Sequence, residues 1–561
     1  MSRSTWRSSR IVVAVIVMAL VGAVMAAPVS AQDKPDEKKS KQVQLQILAL
    51  NDFHGNINTF SSSFGATGGA QNLATNIAAA EAGVRNSIFV SAGDLIGASP
   101  LISALFHDEP TIEVMNEIGL DINGVGNHEF DEGAAELLRM QKGGSHPVDG
   151  NLDGDGFDGA DFKFLAANVT VDKTGKTLFP AYTIKNYQGV KVAFIGLTLE
   201  GTPSIVTPTG VAGLTFHDEA ETVNSIVRHL RRKTNIESFV ILLHEGGMSP
   251  GGQNNCEGGL TGPIATIVPQ FHDAVDVVIA GHTNDEFICE IDGKVVTMAD
   301  TAGRLFTDID VTLDKKTKDM TVVTVNNLPN LQSAADDADV QAIIDKYATL
   351  SAPLANTVIG TITGDIVRTA NAAGESALGD VIADAQLAAT TAPELGGAVM
   401  AFMNAGGIRE NLIFAQISGT EAAGEVTYGE AFTVQPFGNS LVTMTLTGTQ
   451  IEALLEQQFT GGNQILQVSN GFSYEWSLSA APGNKIDPAS IMLNGSVVEP
   501  GSSYRVTVNN FLADGGDNYT VLVGGTDRLG GEVDLDAFTA YIEANTPLGQ
   551  TAPAGRIVQI P

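Results

Sequence analysis

Four short apolar runs each end in a polar residue, and this pattern restricts the chain to a layered α/β architecture. Residues 43–50 lead into Asp52 and His54, residues 87–92 into Gly93 and Asp94, residues 239–243 into His244, and residues 274–280 into Gly281 and His282. Apolar runs of this length read as strands. Helix-like stretches alternate with them, at 69–82 and 219–232. Strand–helix alternation predicts stacked sheet and helix layers. In such sheets the polar residues at the strand C-termini gather along one edge, where ligands bind. A polar stretch at 328–339 and a predicted helix at 340–350 then precede a second half with its own strands and glycine-rich loops. With 561 residues and a 43% hydrophobic fraction, the chain can build more than one core. No fixed-period repeat is present, which excludes a solenoid.

The polar residues at those strand ends are ligand types. Asp52-Phe53-His54 offers a carboxylate and an imidazole, and Gly93-Asp94 a second carboxylate. Gly126-Asn127-His128-Glu129-Phe130-Asp131 adds an amide and a histidine, followed by His244 and by Gly281-His282-Thr283-Asn284. Two divalent ions about 3.5–4 Å apart need a bridging carboxylate and N/O ligands on each side. Asp94 suits the bridge, with Asp52, His54 and Asn284 on one ion and Asn127, His244 and His282 on the other. Mixed His/carboxylate/amide ligation fits Zn, Mn, Fe or Co better than a thiolate-rich site does. Gly93, Gly126 and Gly281 are expected to let the backbone turn sharply where each strand ends. Taken singly, each motif could be an ordinary turn; the ordered series uses four of the nine histidines.

That series resembles the calcineurin-like metallophosphoesterases, and the hexapeptide from Gly126 to Asp131 resembles their 5′-nucleotidase branch. The resemblance implies a four-layer β-sandwich flanked by helices, with two metal ions that activate a water for attack on phosphorus. It implies that His128 is not a ligand but an acid/base and oxyanion-stabilising residue paired with Asp131. Many relatives carry His or Gln where this chain has Asn284.

Four segments of the second half resemble the 5′-nucleotidase C-terminal domain: 375–380, 404–409, 436–439 and 510–517. The resemblance implies a separate α+β substrate-binding domain. The expected organisation is a signal peptide at 1–31, a metallophosphoesterase domain at 43–327, a helical linker at 328–357 and the C-terminal domain at 358–561. A nucleotide offers a flat base, a ribose diol and a phosphate. Phe437 and Phe511 can clamp a base between their faces, Asp517 can accept from ribose hydroxyls, Arg409 can meet a phosphate, and Asn404 can add a polar contact. Ordinary core packing is the alternative for each phenylalanine. Arg368 is the nearest candidate for a further phosphate-binding arginine.

The implied reaction is release of phosphate from nucleoside 5′-monophosphates. A 2′,3′-cyclic nucleotide phosphodiesterase with 3′-nucleotidase activity and a UDP-sugar hydrolase are the alternatives within the enzyme class. A secreted nucleotide-binding surface protein is the alternative outside it.

Charge and leader say where such a protein works. The chain has 31 Lys+Arg against 64 Asp+Glu, a net charge of −33. Such a surface repels the phosphate backbone of nucleic-acid duplexes, so phosphate binding needs local positive charge from metals or placed arginines. Arg3, Arg7 and Arg10, the apolar residues 11–27 and the small residues at 29–31 predict a secretory signal peptide cut after Ala31. An uncleaved anchor is the other reading, at the short limit for spanning. Export to the periplasm or outside the cell, without a stable anchor after cleavage, is the expectation. Residues 32–42 read as a flexible charged lead-in. In an oxidising compartment Cys256 and Cys289 form one disulfide, with free buried thiols as the alternative. Asp149, Asn151, Asp153 and Asp155 match the start of a calcium loop, but Ala160 stands where the closing acid belongs; a solvated acidic loop is the other reading.

Overall fold

In the computed structural model, the strand ends predicted above converge on one edge of a pair of packed sheets. The structure describes residues 41–58, 66–206, 210–417, 419, 421–460 and 463–561. The signal-peptide expectation at 1–31 lies outside the described residues, and so does the lead-in up to residue 40. Residues Gln42 to Pro561 form one compact unit.

The first sheet contains β1 (Gln42–Leu50), β2 (Ser87–Ser91), β3 (Ile122–Gly124) and β4 (Lys163–Leu165). The second contains β5 (Tyr182–Tyr187), β6 (Val190–Thr198), β7 (Ser238–His244), β8 (Val275–Ala280), β9 (Glu286–Ile291) and β10 (Lys294–Ala299). The chain then returns to the first sheet with β11 (Leu305–Asp314) and β12 (Met320–Pro329). The orders are β12-β11-β1-β2-β3-β4 and β9-β10-β8-β7-β6-β5. The second sheet has a parallel centre and antiparallel edges, whereas the first is antiparallel from β12 through β11 to β1 and parallel from β1 to β4. Register sets the edge: Leu50 pairs with Ser91, and Ser91 with Asn123, so the chain leaves β1, β2 and β3 side by side.

The two sheets face each other across a dry layer that includes Ile47, Val90 and Ile122 on one side and Phe194, Leu242 and Ile279 on the other. The approach is close: a Cβ on Gly124 would stand 2.9 Å from Leu242 Cβ, and one on Gly196 2.6 Å from Leu165 Cβ. Outside the first sheet pack α1 (Ala70–Glu81), α2 (Glu109–Ile118) and α3 (Ala134–Lys142). Outside the second packs α4 (Glu219–Thr234), whose Val223, Val227 and Leu230 are buried at helical spacing. Helix, sheet, sheet and helix make the four layers.

The helix α5 (Ala338–Ala355) follows, N-capped by the Asp337 carboxylate, which accepts from Asp339 N and Val340 N. Beyond it lies a five-stranded sheet of β13 (Met400–Met403), β14 (Ser440–Thr447), β15 (Gln467–Val468), β16 (Ser503–Asn509) and β17 (Thr526–Val533), in the order β15-β13-β16-β14-β17. Helix Ala377–Thr390 contributes to the core on one face and helix Gly448–Gln457 to a second core that holds Tyr474 and Trp476. This is the separate α+β half.

Candidate active site

Five residues beyond the strand ends hold a left-handed backbone that disfavours side chains: Asp52 at φ 48°, His54 at 48°, Asp94 at 49°, His282 at 78° and Asn284 at 53°. Such strain persists where surrounding structure over-determines it, and it clusters at functional sites. Glycine makes the convergence feasible, although only in part by turning. Gly93 has φ 97° and meets the expectation of a sharp turn. Gly126 and Gly281 have no positive φ; they supply room. A Cβ on Gly126 would sit 2.2 Å from Asp94 Oδ1, and one on Gly281 2.8 Å from His244 Nδ1.

The side chains form two groups that share one carboxylate. Ligand atoms of Asp52, His54 and Asp94 lie within 4.8 Å of one another, as do those of Asp94, His244 and His282. His244 Nε2 is 2.9 Å from Asp94 Oδ2, and His54 Nε2 is 3.8 Å from the same oxygen. Asn127 Oδ1 completes the second group, 3.1 Å from His244 Nε2 and 2.9 Å from His282 Nδ1. Asp52 accepts the His282 backbone N–H at 3.0 Å and the Asn51 amide at 2.7 Å. Asn51 Nδ2 also donates to Asp300 O, and its Oδ1 accepts from Ala299 N, which ties β1 to the end of β10. Asp52, His54, Asp94, Asn127 and His244 are buried and His282 half-buried, whereas Asn284 is exposed. The fold therefore does not enclose Asn284 with the other six.

Burial and charge set the protonation states. Burial pushes the imidazoles of His54 and His282 down to about 3, which keeps them neutral. Burial raises Asp52 to about 6. Burial also opposes the charged form of Asp94, but His244, His128 and His54 outweigh it and hold Asp94 well below the usual carboxylate range. His244 is pushed up to about 10: desolvation works against it, and Asp94 prevails. Neutral His54 and His282 and an ionised Asp94 are states that metal ligation requires, whereas His244 holds a proton against Asp94 that a bound ion would displace. The donor set thus fits two divalent ions bridged by Asp94.

His128 stands over this group. Its backbone N–H donates to Asp94 Oδ1 at 2.8 Å, and its Nδ1 lies 2.9 Å from Asp131 Oδ2. Burial would lower this imidazole, yet Asp131 and Asp94 hold it above its ordinary value. A residue with no assigned role in the sequence reading completes the frame. The Glu129 carboxylate accepts from Asp94 N, Leu95 N, Gly126 N and Asn123 Nδ2 at 2.9, 2.9, 2.6 and 3.0 Å. The motif contained it; nothing local shows that its partners come from other strands.

A cleft of about 250 Å³ joins this edge to the second half, and its walls include Asn127, His128 and His282 opposite Arg409, Phe437 and Phe511. The Phe437 ring stacks on His128 at a centroid distance of 5.6 Å and 15°, with the Arg409 guanidinium 5.8 Å from the same ring. Asp517 and Asn404 line the cleft too, and Asn404 Nδ2 donates to Asp517 Oδ2 at 2.9 Å. Gly516 makes space for the Phe511 ring, which a Cβ would approach to 2.5 Å. Burial and the neighbouring Arg368 lower the Arg409 pKa, so Arg368 contributes charge near the cleft; it is exposed, and its guanidinium donates to Ile408 O. Asn439, from the 436–439 segment, lines the cleft too, with Gln464 and Asn509, which no sequence signal singled out.

Two expectations outside the cleft meet different outcomes. Cys256 and Cys289 are bonded to each other. The calcium-loop match is corrected: its acids do not surround one point. Asp153 and Asp155 take the Lys346 ammonium at 2.8 and 3.0 Å, with Tyr347 OH also on Asp153, while Asp149 turns away to His107. A lysine from α5 supplies the cation.

Comparison with known proteins agrees with this geometry. The calcineurin-like phosphoesterase family matches residues 45–285, and the 5′-nucleotidase C-terminal domain family matches 358–524. Endonuclease YhcR of Bacillus subtilis is 33% identical over 92% of this chain, which spans only 41% of that protein. Cell wall protein Lmo0130 of Listeria monocytogenes is 32% identical over 91% of this chain and 68% of its own length. The crystal structure of a 5′-nucleotidase precursor from Thermus thermophilus superposes with a TM-score of 0.73 at 25% identity, covering 92% of this chain and 99% of that one. With both halves matched in order and the ligand edge facing the cleft, the chain belongs to the 5′-nucleotidase family of calcineurin-like phosphoesterases.

Proposed function

We propose that the protein releases phosphate from nucleoside 5′-monophosphates outside the cytoplasm. The observation that carries this reading is the cleft whose walls combine Asn127 and His282, the outer members of the Asp94-bridged set, with Arg409, Phe437, Phe511 and Asp517. A bridging metal pair, when bound, would supply Lewis-acid polarisation of the phosphate and a nucleophilic water at neutral pH. Asp52, His54 and Asp94 would hold one ion, and Asp94, Asn127, His244 and His282 the other, with Asn284 supplying at most an outer contact. The native metal is one of Zn, Mn, Co or Fe.

The chain's own residues do the rest. His128, kept basic by Asp131, faces the cleft as a donor toward the phosphoryl oxygens. Arg409 adds a guanidinium to the same charge. Phe437 and Phe511 take the base, and Asp517, held by Asn404, accepts from the ribose hydroxyls. The Cys256–Cys289 bond fits an oxidising compartment, and no helix among the described residues is long and apolar enough to cross a membrane.

The test is phosphate release from AMP, 2′,3′-cyclic AMP, 3′-AMP and UDP-glucose with different divalent ions. AMP should be turned over fastest, and Asp94→Ala should abolish activity in a protein that stays folded. Activity that survives both Asp94→Ala and chelation overturns the two-metal reading. Preference for a cyclic nucleotide or UDP-glucose overturns the choice of substrate alone.

A further inference from the structure

Away from the cleft, Asp149 joins a second cluster of ligand-type side chains. Its Oδ2 lies 3.1 Å from His107 Nε2 and 3.3 Å from His146 Nδ1. The two imidazoles stack at 3.7 Å and 19°. Glu132 Oε2 stands 2.7 Å from His107 Nδ1. Ligand atoms of His107, Glu132, Glu136 and His146 all lie within 4.8 Å of one another. We propose that this cluster is a mononuclear site for a divalent transition ion of the zinc class, distinct from the Asp94-bridged pair.

The donor set is the first argument. Two imidazoles with two carboxylates suit a borderline ion such as Zn²⁺, whereas a calcium site would use oxygen alone. Tetrahedral ligands about 2.1 Å from zinc stand about 3.4 Å apart, within the spacing seen here, and because imidazole lone pairs lie in the ring plane one of the stacked rings would swing to aim at the ion. Glu136 Oε1 and Oε2 accept from Arg139 Nε at 2.9 and 3.0 Å, and a carboxylate has about four lone-pair sites, which leaves it able to ligate.

Charge is the second argument. Arg139 also contacts Glu109. One guanidinium therefore serves Glu109 and Glu136, while Glu132 and Asp149 face only imidazoles within the cluster. A divalent cation held by both imidazoles would offset the negative charge that Glu132 and Asp149 bring to the cluster.

The backbone supplies a third. His107 and Asp108 are consecutive left-handed residues, at φ 53° and 61°. Asp108 fixes this kink by accepting from Ser103 Oγ at 2.6 Å and from Gly97 N at 2.9 Å. The kink presents His107 to Glu132, Glu136 and His146. Access from solvent is open, with the Glu132 and Asp149 side chains 45% and 44% exposed.

An ion here would staple three segments: the turn before α2, the start of α3, and the loop bearing His146. Glu132 follows Asp131 directly, and Gly97, whose N–H donates to Asp108, accepts on its carbonyl from His54 Nδ1 at 2.9 Å, so the staple would brace both the His128 partner and the buried His54.

The experiment is zinc stoichiometry on metal-stripped full-length protein, by elemental analysis after gel filtration, on a background of Asp94→Ala to remove the bridged pair. That protein should retain one tightly held Zn²⁺, not displaced by a hundredfold excess of Ca²⁺, and its Tm should rise by several degrees on adding Zn²⁺. Glu132→Gln, at the solvent side, or the half-buried His146→Ala on the same background should each lower that affinity at least tenfold and cancel the Tm rise. Equal zinc content and equal Tm shifts in all three proteins overturn the site. Displacement by Ca²⁺ overturns the zinc-class assignment and with it the proposal.

Discussion

The Glu129 carboxylate holds Asp94 by its backbone, accepting the Asp94 N–H on Oε2 at 2.9 Å while the same oxygen accepts Gly126 N at 2.6 Å. Asp94 and Asn127 leave different strands, so Glu129 fixes the distance between the shared carboxylate and an amide of the second ligand group. Glu129→Gln keeps the size but turns a donor toward N–H groups. Partners that orient ligands typically matter about 10–100-fold for metal affinity or activity. The expected outcome is a loss in that range in both metal affinity and kcat, with far-UV circular dichroism unchanged. Calorimetric metal titration and steady-state kinetics check it. Unaltered metal affinity would show that the frame does not depend on this carboxylate.

Phe437 and Asp517 make separable contributions to substrate binding. The Phe437 ring covers His128 on one side and faces Arg409 at 5.8 Å. Aromatic stacking is worth about 0.5–1.5 kcal/mol beyond area burial, so Phe437→Ala should raise KM for AMP by about 3–10-fold. Asp517→Ala should weaken AMP but leave 2′,3′-dideoxy-AMP unaffected, because only the ribose hydroxyls can donate to it. Kinetics on the two substrates give the comparison, and equal losses on both would remove the ribose assignment.

What the sequence reveals here is local, and what it hides is long-range. The strands expected at 43–50, 87–92, 239–243 and 274–280 lie within a residue of β1, β2, β7 and β8, because each rests on a short apolar run with its own terminating glycine or polar residue. Asp52, His54, Asp94, Asn127, His244 and His282 were legible for the same reason. Asn284 already stood apart in sequence, where many relatives carry His or Gln, but its exposure depends on how the turn after β8 is oriented. Lys346 reaches Asp153 across 193 positions, and a calcium-like spacing cannot reveal an ammonium from a distant helix. Gly126 and Gly281 read as turn residues, yet their role is space, a property of the side chains that surround them. The stack of Phe437 on His128 depends on how the two halves meet, which no motif encodes.

The Cys256–Cys289 bond joins residues 33 apart in sequence. It ties the loop that follows β7 and the candidate ligand His244 to β9. Closing a loop of this length removes about 3–4 kcal/mol of denatured-state entropy in the chain-entropy account. Cys256→Ser should lower Tm by several degrees and steepen inactivation on heating. Activity at 25 °C should remain within about twofold, since His244 ends a strand whose register with its two neighbours does not depend on the bond. Differential scanning calorimetry with and without reductant checks both statements, and a reductant-insensitive Tm in the unsubstituted protein would argue against any stabilising role.

The last prediction concerns pH and lies far from the ligands. Asp276 stands near the start of β8, its carboxylate accepting Phe239 N at 2.9 Å. Burial pushes its carboxyl up to about 8, and the nearby Asp319 and Glu237 add to the rise. A folded-state pKa above the unfolded value of 3.8 means that the folded protein binds the extra proton. Its contribution to stability is therefore fully present at low pH, declines as the unfolded chain ionises above about 4, and is gone above about 8. Asp276→Asn keeps an oxygen acceptor for Phe239 N and removes the ionisation. The substituted protein should melt a few degrees higher than the unsubstituted one at pH 8, and the difference should shrink toward pH 5. A Tm profile across that range tests it, and an offset independent of pH would mean that Asp276 is not the titrating group.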